Sequence, residues 1–415
     1  MKTTHALRTA GGIAAIASII ALTTLTACSS SSDGPSVDLT STSGLPSDAF
    51  PGQSASGESV KIGLIANVGG TTISQPESRE AAEAVVKYAN ENLGGLGGRP
   101  IEVVSCNSLE EPVSARDCAN QMVEAKVPVV VVTGTGFGNI MAPIITGAGI
   151  PYVTAIAGSV AEVSADKVYV WTAGSLSSLA MATYAADAGM KNVTAYAIDV
   201  PAATGALKSI GGPAFETKGV NLNIVPIPLG TPDATPQVFA GLDTNPEGVI
   251  IYGDSTVCIS VMKSLAALGS EAENLTTQAC ADPEVIQSLG SGMDGTKIFS
   301  SADTSSDHPE SVLYRAIMNT YTPGTPTEGY AVTGYQAMLG FVRATQSVQG
   351  TDTSSEALDA AIKSTTDAVL PAAGGLTFTC DGKSAPGYTS ICGDGLVTMT
   401  MEDSNQVEPS TVGIG

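Results

Sequence analysis

The amino-acid sequence predicts an α/β protein built from two doubly wound, Rossmann-like lobes. From Val60 to Ala157, four short apolar runs alternate with amphipathic segments, which is the pattern of strands and helices in a parallel sheet. One run contains Val129–Val132, which has no polar face, so this strand must be covered by helices on both sides. A second strand–helix alternation lies between residues 173 and 300, and a chain of 415 residues is long enough for about two domains.

Residues 1–27 have the features of a secretory signal peptide. Lys2 and Arg8 form a basic start, and Thr9–Leu25 is apolar but short for a membrane span. The segment Leu25-Thr26-Ala27-Cys28 then resembles a bacterial lipobox, in which the cysteine receives diacylglycerol and becomes the first residue. We therefore predict a lipoprotein anchored through Cys28 at the extracytoplasmic face of the cell membrane. A membrane helix with a chance cysteine and an ordinary secretory signal are the alternatives.

Residues 28–59 are rich in Ser, Gly, Pro and Asp and predict a flexible tether, because they contain too few apolar residues to form a core. The whole chain has 18 Lys and Arg against 40 Asp and Glu, a net charge of −22. This excess argues against nucleic acid as a partner and against docking on anionic lipid through a basic patch. Solubility is the simpler explanation of the acidity.

The individual elements are predicted from local patterns. A helix follows the first strand near Ser74, where Ser74, Pro76 and Glu77 have the spacing of a capping box, and it ends at Gly94-Gly95. The predicted strands are Val60–Ala66, Ile101–Ser105, Val127–Thr133, Ile150–Ala155, Val193–Ile198, Leu222–Pro228, Gly248–Tyr252, Leu275–Ala279 and Lys297–Ser300. The helices predicted beyond residue 172 are Leu179–Ala188, Ala203–Thr217, Pro236–Leu242, Ile259–Leu268, Val312–Tyr321, Tyr330–Gln346 and Ser355–Ser364.

Six cysteines remain beyond Cys28, and they form three couples that are close in sequence. Because an exported protein meets an oxidising compartment, we predict three disulfides, each worth about 3 kcal/mol in the chain-entropy model. The predicted pairs, out of the fifteen possible pairings, are Cys106–Cys118, Cys258–Cys280 and Cys380–Cys392. The alternatives are a metal cluster and free buried thiols. The absence of a C-x-x-C spacing and the single mature histidine, His308, argue against zinc.

Three segments of the first predicted lobe share residues with a known family. They are Val60–Ile65, which opens the folded part; Asn92–Val103, with Gly-Gly-Leu-Gly-Gly-Arg-Pro after one helix; and Gly149–Thr154, with Gly-Ile-Pro-Tyr-Val-Thr. These segments resemble the leucine/isoleucine/valine-binding branch of the type I periplasmic binding proteins, and the resemblance covers about Val60 to the end. It implies the solute-binding component of an ABC importer, with two Rossmann-like lobes joined by three crossovers and closing on a ligand.

The resemblance also gives expected positions for the hinge. We expect crossovers near Trp171–Ser175, Phe299–Asp303 and Leu370–Gly375. Lobe one is then residues 60–172 plus 303–370, and lobe two is residues 173–300 plus 373–415.

In the family that the sequence resembles, hydroxyls and backbone N–H groups after the third and fourth strands of lobe one hold the carboxylate of the ligand. The matching positions here are Thr135, Gly136, Ala157 and Ser159. Such groups at a helix start can bind an anion without a charged side chain. A tight strand-to-helix turn explains the glycines of Gly134–Gly138 equally well. No Lys-Ser/Thr follows them, which argues against a nucleotide phosphate loop.

Lobe two of that family contributes an aromatic residue and an acidic residue that pairs with the ammonium of the ligand. Here the expected Tyr is absent near Thr204, and no Glu follows the strand Leu275–Ala279. Asp254, with its neighbour Ser255, and Asp282 are the candidate replacements. We therefore predict Thr204, Asp254, Ser255 and Asp282 at the ligand. A loop Asp is more often a turn residue or a helix cap, which is the alternative for both carboxylates.

The sequence thus predicts a binding protein for a small polar solute, either amino-acid-like or a small carboxylate or amide, held between the lobes. The expected partners are the solute, an ABC permease and the membrane, and the expected state is a monomer. No cofactor, metal or catalysis is expected, because His308 lies in a loop and no G-x-S-x-G elbow precedes a helix in the required context. The alternative is a ligand-sensing lipoprotein of the same fold that is not coupled to transport.

Overall fold

The computed structural model describes residues 44–71, 74–348, 350 and 352–415. The predicted signal peptide, the predicted lipidation site Cys28 and residues 28–43 of the predicted tether lie outside the described residues. The tether prediction was wrong for residues 44–59, which pack on the first lobe: Ala49 is buried, and its carbonyl accepts from the Tyr88 hydroxyl over 2.5 Å. None of the helices in the described part is long and apolar enough to cross a membrane.

Most of the described chain consists of strands and helices. The strands are β1 Val60–Ala66, β2 Ile101–Asn107, β3 Val130–Val132, β4 Tyr152–Thr154, β5 Val168–Val170, β6 Asn192–Ile198, β7 Asn221–Ile227, β8 Gly248–Tyr252, β9 Glu273–Thr277, β10 Lys297–Ser300, β11 Ala368–Val369, β12 Thr377–Phe378, β13 Gly395–Glu402 and β14 Asn405–Gly413. The helices are α1 Pro76–Asn92, α2 Pro112–Glu124, α3 Gly138–Gly147, α4 Ser177–Asp187, α5 Pro201–Ala206, α6 Gly212–Thr217, α7 Thr235–Leu242, α8 Ser255–Ala267, α9 Pro283–Leu289, α10 Pro309–Tyr321, α11 Ala331–Ala344 and α12 Ser355–Lys363.

The first sheet is fully parallel, with the strand order β2-β1-β3-β4-β5. Val129 and Val131 belong to the core cluster that contains residues of α1 and α11, whereas Val130 and Val132 belong to the cluster that contains residues of α2 and α3. All four valines are fully buried. The expectation that this apolar run is covered on both faces is therefore confirmed, because successive side chains of a strand point to opposite faces.

The second sheet repeats the topology of the first. Its parallel strands have the order β7-β6-β8-β9-β10, and β13 and β14 extend it antiparallel beyond β10. In each lobe the strand order reverses between the first and third strands, that is, between β1 and β3 and between β6 and β8. Open α/β sheets bind ligands at this switch point, beyond the carboxyl ends of the strands. The prediction of two doubly wound α/β lobes is confirmed.

The passages between the lobes lie against one turn of α11. The Trp171 indole N–H donates to the carbonyl of Ala337 over 3.0 Å. The side-chain amide of the neighbouring Gln336 donates to the carbonyl of Ser301 over 2.8 Å and to that of Pro371 over 2.9 Å. One buried helical turn of lobe one therefore holds two of the passages and the loop beside them.

The third passage between the lobes comes later in the chain than the resemblance implies. Leu370–Gly375 lies in the loop of a small hairpin, because β11 and β12 pair antiparallel on either side of it. The following segment stays at the edge of the first sheet, where the Cys392 N–H donates to the carbonyl of Val170 over 2.8 Å. The chain joins the second sheet only at β13, which begins at Gly395. We therefore propose residues 376–392 for lobe one; the other predicted boundaries stay proposals.

The start of α1 differs from the predicted capping box. The N-cap residue is Gln75, and it makes no side-chain hydrogen bond to the first turn. The Ser74 hydroxyl accepts instead from the N–H of Gly69 over 3.0 Å, within the loop before the helix. The capping-box prediction was therefore wrong, although Pro76 does stand at the first position of the helix.

The structure contains the three predicted disulfides. Cys106–Cys118 joins β2 to α2, Cys258–Cys280 joins α8 to the short 3₁₀ helix Gln278–Ala281, and Cys380–Cys392 closes a loop before β13. The predicted pairings are thereby confirmed. The second disulfide connects the two segments of lobe two that contain Asp254 and Asp282.

Candidate functional site

The loops that follow β3 and β4 meet at the switch-point edge of the first sheet. A side chain on Gly158 would place its Cβ 1.7 Å from the carbonyl oxygen of Thr135, so the two loops contact each other backbone to backbone. Only glycine is compatible with this approach. The structure therefore brings the predicted residues Thr135 and Gly136 next to Ser159.

The donors of the first loop are occupied by a carboxylate from elsewhere in lobe one. The N–H of Gly136 donates to Glu110 Oε1 over 2.5 Å, and the Thr135 hydroxyl donates to Glu110 Oε2 over 3.2 Å. Leu109 and Glu110 both have left-handed backbones, with φ of 53° and 49°. This conformation costs about 1 kcal/mol or more for each non-glycine residue, so the loop is held by the contacts that it makes.

Glu110 was not predicted from the sequence. Glu110 and Glu111 lie in the short loop between β2, which ends at Asn107, and Pro112, the first residue of α2, so they lie at the same strand-end edge as Thr135. That position is a usable signal for a site residue, because carboxyl ends of parallel strands gather at one edge.

The donors of the second loop are occupied in the same way by Glu162. Its carboxylate accepts from the Tyr152 hydroxyl over 2.7 Å, from the Ser159 hydroxyl over 2.7 Å and from the Gly158 N–H over 3.1 Å. Glu162 is fully buried, and burial raises its pKa above the usual range, against the lowering effect of these hydrogen bonds. The carboxyl group also lies so close to Gly138, the first residue of α3, that a Cβ there would overlap it.

Ala157 is tied to the passage between the lobes. Its N–H donates to the Ser175 hydroxyl over 2.9 Å, and its carbonyl accepts from the same hydroxyl over 3.1 Å. The N–H of Ala157, which was predicted to bind an anion, is thus hydrogen-bonded to Ser175 at the start of the predicted lobe two.

Two buried polar groups lie at the same edge without a partner. Asn67 follows β1 and Ser108 follows β2, and both side chains are buried. Asn67 Oδ1 and Ser108 Oγ have no hydrogen-bond partner among the described residues. A buried acceptor without a donor is unfavourable, and such groups need an explanation such as a ligand or a water molecule.

The carboxylates of lobe two serve as helix caps. Asp254 Oδ1 accepts from the N–H of Val257 over 3.0 Å at the start of α8, and Asp282 Oδ1 accepts from the N–H of Glu284 over 2.9 Å at the start of α9. Both residues are exposed. Each aspartate therefore caps a helix, which was the alternative to ligand binding. That either residue also contacts the ligand stays a prediction.

The other two predicted residues of lobe two lie in helices. Thr204 is in α5 and its hydroxyl donates to the carbonyl of Val200 over 3.1 Å. Ser255 is the first residue of α8 and is half-buried. Among the described residues, no hydrogen bond or ion pair joins the loops 134–138 and 156–159 to the loops 199–205, 253–256 and 278–283. Apart from the contact of Ala157 with Ser175, the hydrogen bonds described above for the two halves of the predicted site are made within their own lobe.

His308 has a structural role. Its imidazole Nδ1 accepts from the N–H of Glu310, which caps the start of α10. Across the described part of the chain, no group of three His, Cys, Asp or Glu side chains is placed to hold a metal ion.

A family model described as periplasmic binding protein matches residues 59–388 of this chain. The chain belongs to the periplasmic binding protein family. No curated protein sequence matches this periplasmic binding protein significantly. Its fold is nevertheless shared with many solved structures.

The solved structures resemble this periplasmic binding protein over most of its length. A putative branched-chain amino acid ABC transporter protein from Rhodospirillum rubrum is 18% identical with a TM-score of 0.69, over 84% of this chain and 99% of the other. An ABC transporter substrate-binding protein from Sphaerobacter thermophilus is 18% identical with a TM-score of 0.70, over 86% and 98%.

Two further structures contain a bound ligand. The LivJ substrate-binding protein of Streptococcus pneumoniae is in complex with isoleucine; it is 16% identical, with a TM-score of 0.64 over 86% of this chain and 100% of the other. A solute-binding protein from R. palustris is in complex with benzoate; it is 18% identical, with a TM-score of 0.64 over 85% and 96%. At these identities the likeness establishes the fold, and it leaves the ligand of this protein open.

Proposed function

We propose that this periplasmic binding protein is the solute-binding component of an ABC importer, and that it binds a small polar solute between its lobes. The observation that supports this most directly is the paired topology: two sheets of the same strand order, each with its switch-point loops at the carboxyl ends of its strands. Family membership supports it independently, because periplasmic binding proteins bind substrates and do not convert them. We accordingly propose no catalytic role for the chain.

The proposed mechanism is closure of the lobes around the solute. A ligand that contacts both lobes stabilises the closed form over the open form by its difference in affinity for the two. We propose that lobe one contributes the region of Thr135 and Ser159, and that lobe two contributes Asp254 and Asp282 with their neighbours Thr204 and Ser255. The closed form would then dock on a permease.

We further propose that a lipid on Cys28 anchors the protein at the extracytoplasmic face of the cell membrane, with the tether allowing the lobes to reach a permease. Mass spectrometry of protein purified from native membranes tests this part alone. We expect the mass of a diacylglyceryl group on a chain that begins at Cys28, and a Cys28→Ala variant released from the membrane fraction. An unmodified chain in the soluble fraction would contradict the anchor.

The binding function is tested by a ligand screen on the purified protein. Thermal-shift and calorimetric measurements would include amino acids, short-chain acids, amides, amines and nucleobases. We expect a saturable rise in melting temperature with at least one class, because a ligand that binds only the folded state stabilises it. A folded protein that binds no member of these classes would contradict the proposed function.

A further inference from the structure

We infer that lobe one takes the solute through a hydrogen-bond donor, such as an amine, an amidinium or an amide, and excludes a carboxylate from this position. The inference rests on the proposed function and narrows its solute class. It follows from the two carboxylates, Glu110 and Glu162, that already occupy the donors of the two switch-point loops.

The first carboxylate occupies the site that would otherwise bind an anion. Glu110 engages both the N–H of Gly136 and the hydroxyl of Thr135, one with each oxygen. A solute carboxylate would therefore find the Gly136 N–H and the Thr135 hydroxyl already engaged, and it would lie beside a like charge. Glu110 is half-exposed, and a carboxylate accepts about four hydrogen bonds, so its remaining lone pairs are open to a donor from outside.

The second carboxylate closes the other anion position. Glu162 uses the Gly158 N–H and the Ser159 hydroxyl, and it lies at the start of α3, where a helix would favour an external anion. The Glu162 side chain is fully buried and accepts from three donors, on Tyr152, Gly158 and Ser159. If the carboxyl group moved away, all three donors would lose their acceptor, which is unfavourable in a buried place.

The charged side chains of the loops favour a donor as well, and the guanidinium of Arg79, which reaches Asn107 at the end of β2, is already paired with Glu83. The loops at this edge and the opposing loops of lobe two contain no Lys, Arg or His, and lobe two adds the exposed Asp199, Asp254 and Asp282. The buried Asn67 Oδ1 lacks a donor among the described residues. A cationic or amide group supplies hydrogen-bond donors, whereas a carboxylate brings only further acceptors.

Matched pairs of small solutes test the inference directly. The probes are isoleucinamide against isoleucine and benzylamine against benzoate, measured by calorimetry and thermal shift on the full protein. We expect the amide and amine members to bind about tenfold more tightly or better than their carboxylate partners. Tighter binding of isoleucine or benzoate would overturn the inference while the proposed function stands. No binding by these pairs or by any class in the broad screen would overturn the proposed function itself.

A charge-removing substitution separates Glu110 from the general acidity of the protein. Glu110→Ala frees the N–H of Gly136 and the hydroxyl of Thr135, so we expect about a tenfold gain for the carboxylate probes and a similar loss for the amines. Glu111→Ala removes the same charge from an exposed neighbour that makes no side-chain cap on α2, and we expect it to change neither affinity. Unchanged carboxylate affinity in Glu110→Ala, or an equal gain in Glu111→Ala, would overturn the role of Glu110.

Discussion

The two lobes share one topology but satisfy the backbone at their ligand-side loops differently. In lobe two, Asp254 and Asp282 are themselves the residues before their helices, and each accepts from an N–H two or three positions ahead. In lobe one, the N–H of Gly136 is satisfied by Glu110, which is 26 residues away in sequence. Acceptors for N–H groups at a helix start or in the loop before it can thus be local or remote, and only the local ones can be recognised from sequence spacing.

The loops also differ in what holds them together. In lobe two, a covalent bond between Cys258 and Cys280 joins the segments that contain the two aspartates. In lobe one, the loops after β3 and β4 are held by the backbone contact between Gly158 and Thr135 and by the two glutamates, whereas the Cys106–Cys118 disulfide spans the neighbouring loop that contains Glu110. The comparison predicts that the ligand-side loops of lobe two keep their positions mainly through the disulfide. It predicts that the loops after β3 and β4 of lobe one do so mainly through Gly158 and the carboxyl groups of Glu110 and Glu162.

Removing the lobe-two disulfide has the largest expected effect. The double variant Cys258→Ala/Cys280→Ala opens a loop of 22 residues, and we expect a loss of about 3 kcal/mol of unfolding free energy. Peptide-resolved hydrogen exchange should show the added opening in residues 253–283. The matched control, Cys106→Ala/Cys118→Ala, opens a loop of 12 residues in lobe one. We expect it to leave the exchange of residues 253–283 unchanged. Uniform exchange changes in both variants would remove the proposed difference between the lobes.

Substitution of Gly158 tests the backbone contact of lobe one. A Cβ at this position would overlap the carbonyl of Thr135, so we expect Gly158→Ala to cost about 2 kcal/mol or more in urea denaturation. Gly147→Ala is the control, because it lies in α3 with no atom within 4 Å of an added Cβ, and it should stabilise by about 0.5–1 kcal/mol. A tolerated Gly158→Ala would show that the two loops separate freely.

The cap at Asp254 gives a smaller effect and distinguishes capping from ligand binding. Asp254→Ala removes the acceptor for the Val257 N–H and should cost about 1 kcal/mol. Asp254→Asn preserves a capping oxygen and should keep the stability of the wild type. If Asp254→Asn retains stability but loses affinity for the solute found in the screen, the carboxylate is a ligand group as well as a cap. Equal affinity would restrict Asp254 to capping.

The smallest expected effect is a slope in the pH dependence of stability. Because burial raises the pKa of Glu162, the folded protein keeps its proton at pH values where the unfolded chain has lost it. The contribution is thus fully present below the ordinary pKa of glutamate and is lost as the pH rises through the raised pKa.

Glu162→Gln removes this titration and should flatten the stability profile, measured by urea denaturation between roughly pH 4 and pH 8. An amide can retain the contacts, because its oxygen can accept from Gly158 and Ser159 while its nitrogen donates to the oxygen of Tyr152. If Glu162→Gln keeps the pH slope of the wild type, that slope arises from other titrating groups.

Most of the fold could be predicted because it depends on patterns of residues that are close in sequence. The buried valines around β3 and the sequence-local cysteine couples each depend on a few neighbouring residues, and the structure agrees with both. The third passage between the lobes could not be located this way, because the bridge between the Cys392 region and Val170 connects segments far apart in the chain.

The candidate site was predictable only in part for the same reason. The loops at Thr135 and Ser159 follow from strand ends, and the caps at Asp254 and Asp282 were foreseen as alternatives. Glu110 was not foreseen, because nothing near it in sequence reveals that it will reach the N–H of Gly136. Glu162 was missed although it lies only three and four residues after its partners Ser159 and Gly158. The placement of solute-contacting residues stays a proposal for the binding experiments.

In the proposed closure, the attachment of two passages to α11 would decide which part of the molecule turns. Because Trp171 and Ser301 both hydrogen-bond to a single turn of a helix buried in lobe one, we expect these two residues to move with that lobe. We then expect the rotation to be absorbed on the lobe-two side, after Trp171 and before Ser301. Lobe one with α11 would then stay fixed, and lobe two, with the exposed Asp199, Asp254 and Asp282, would move toward it.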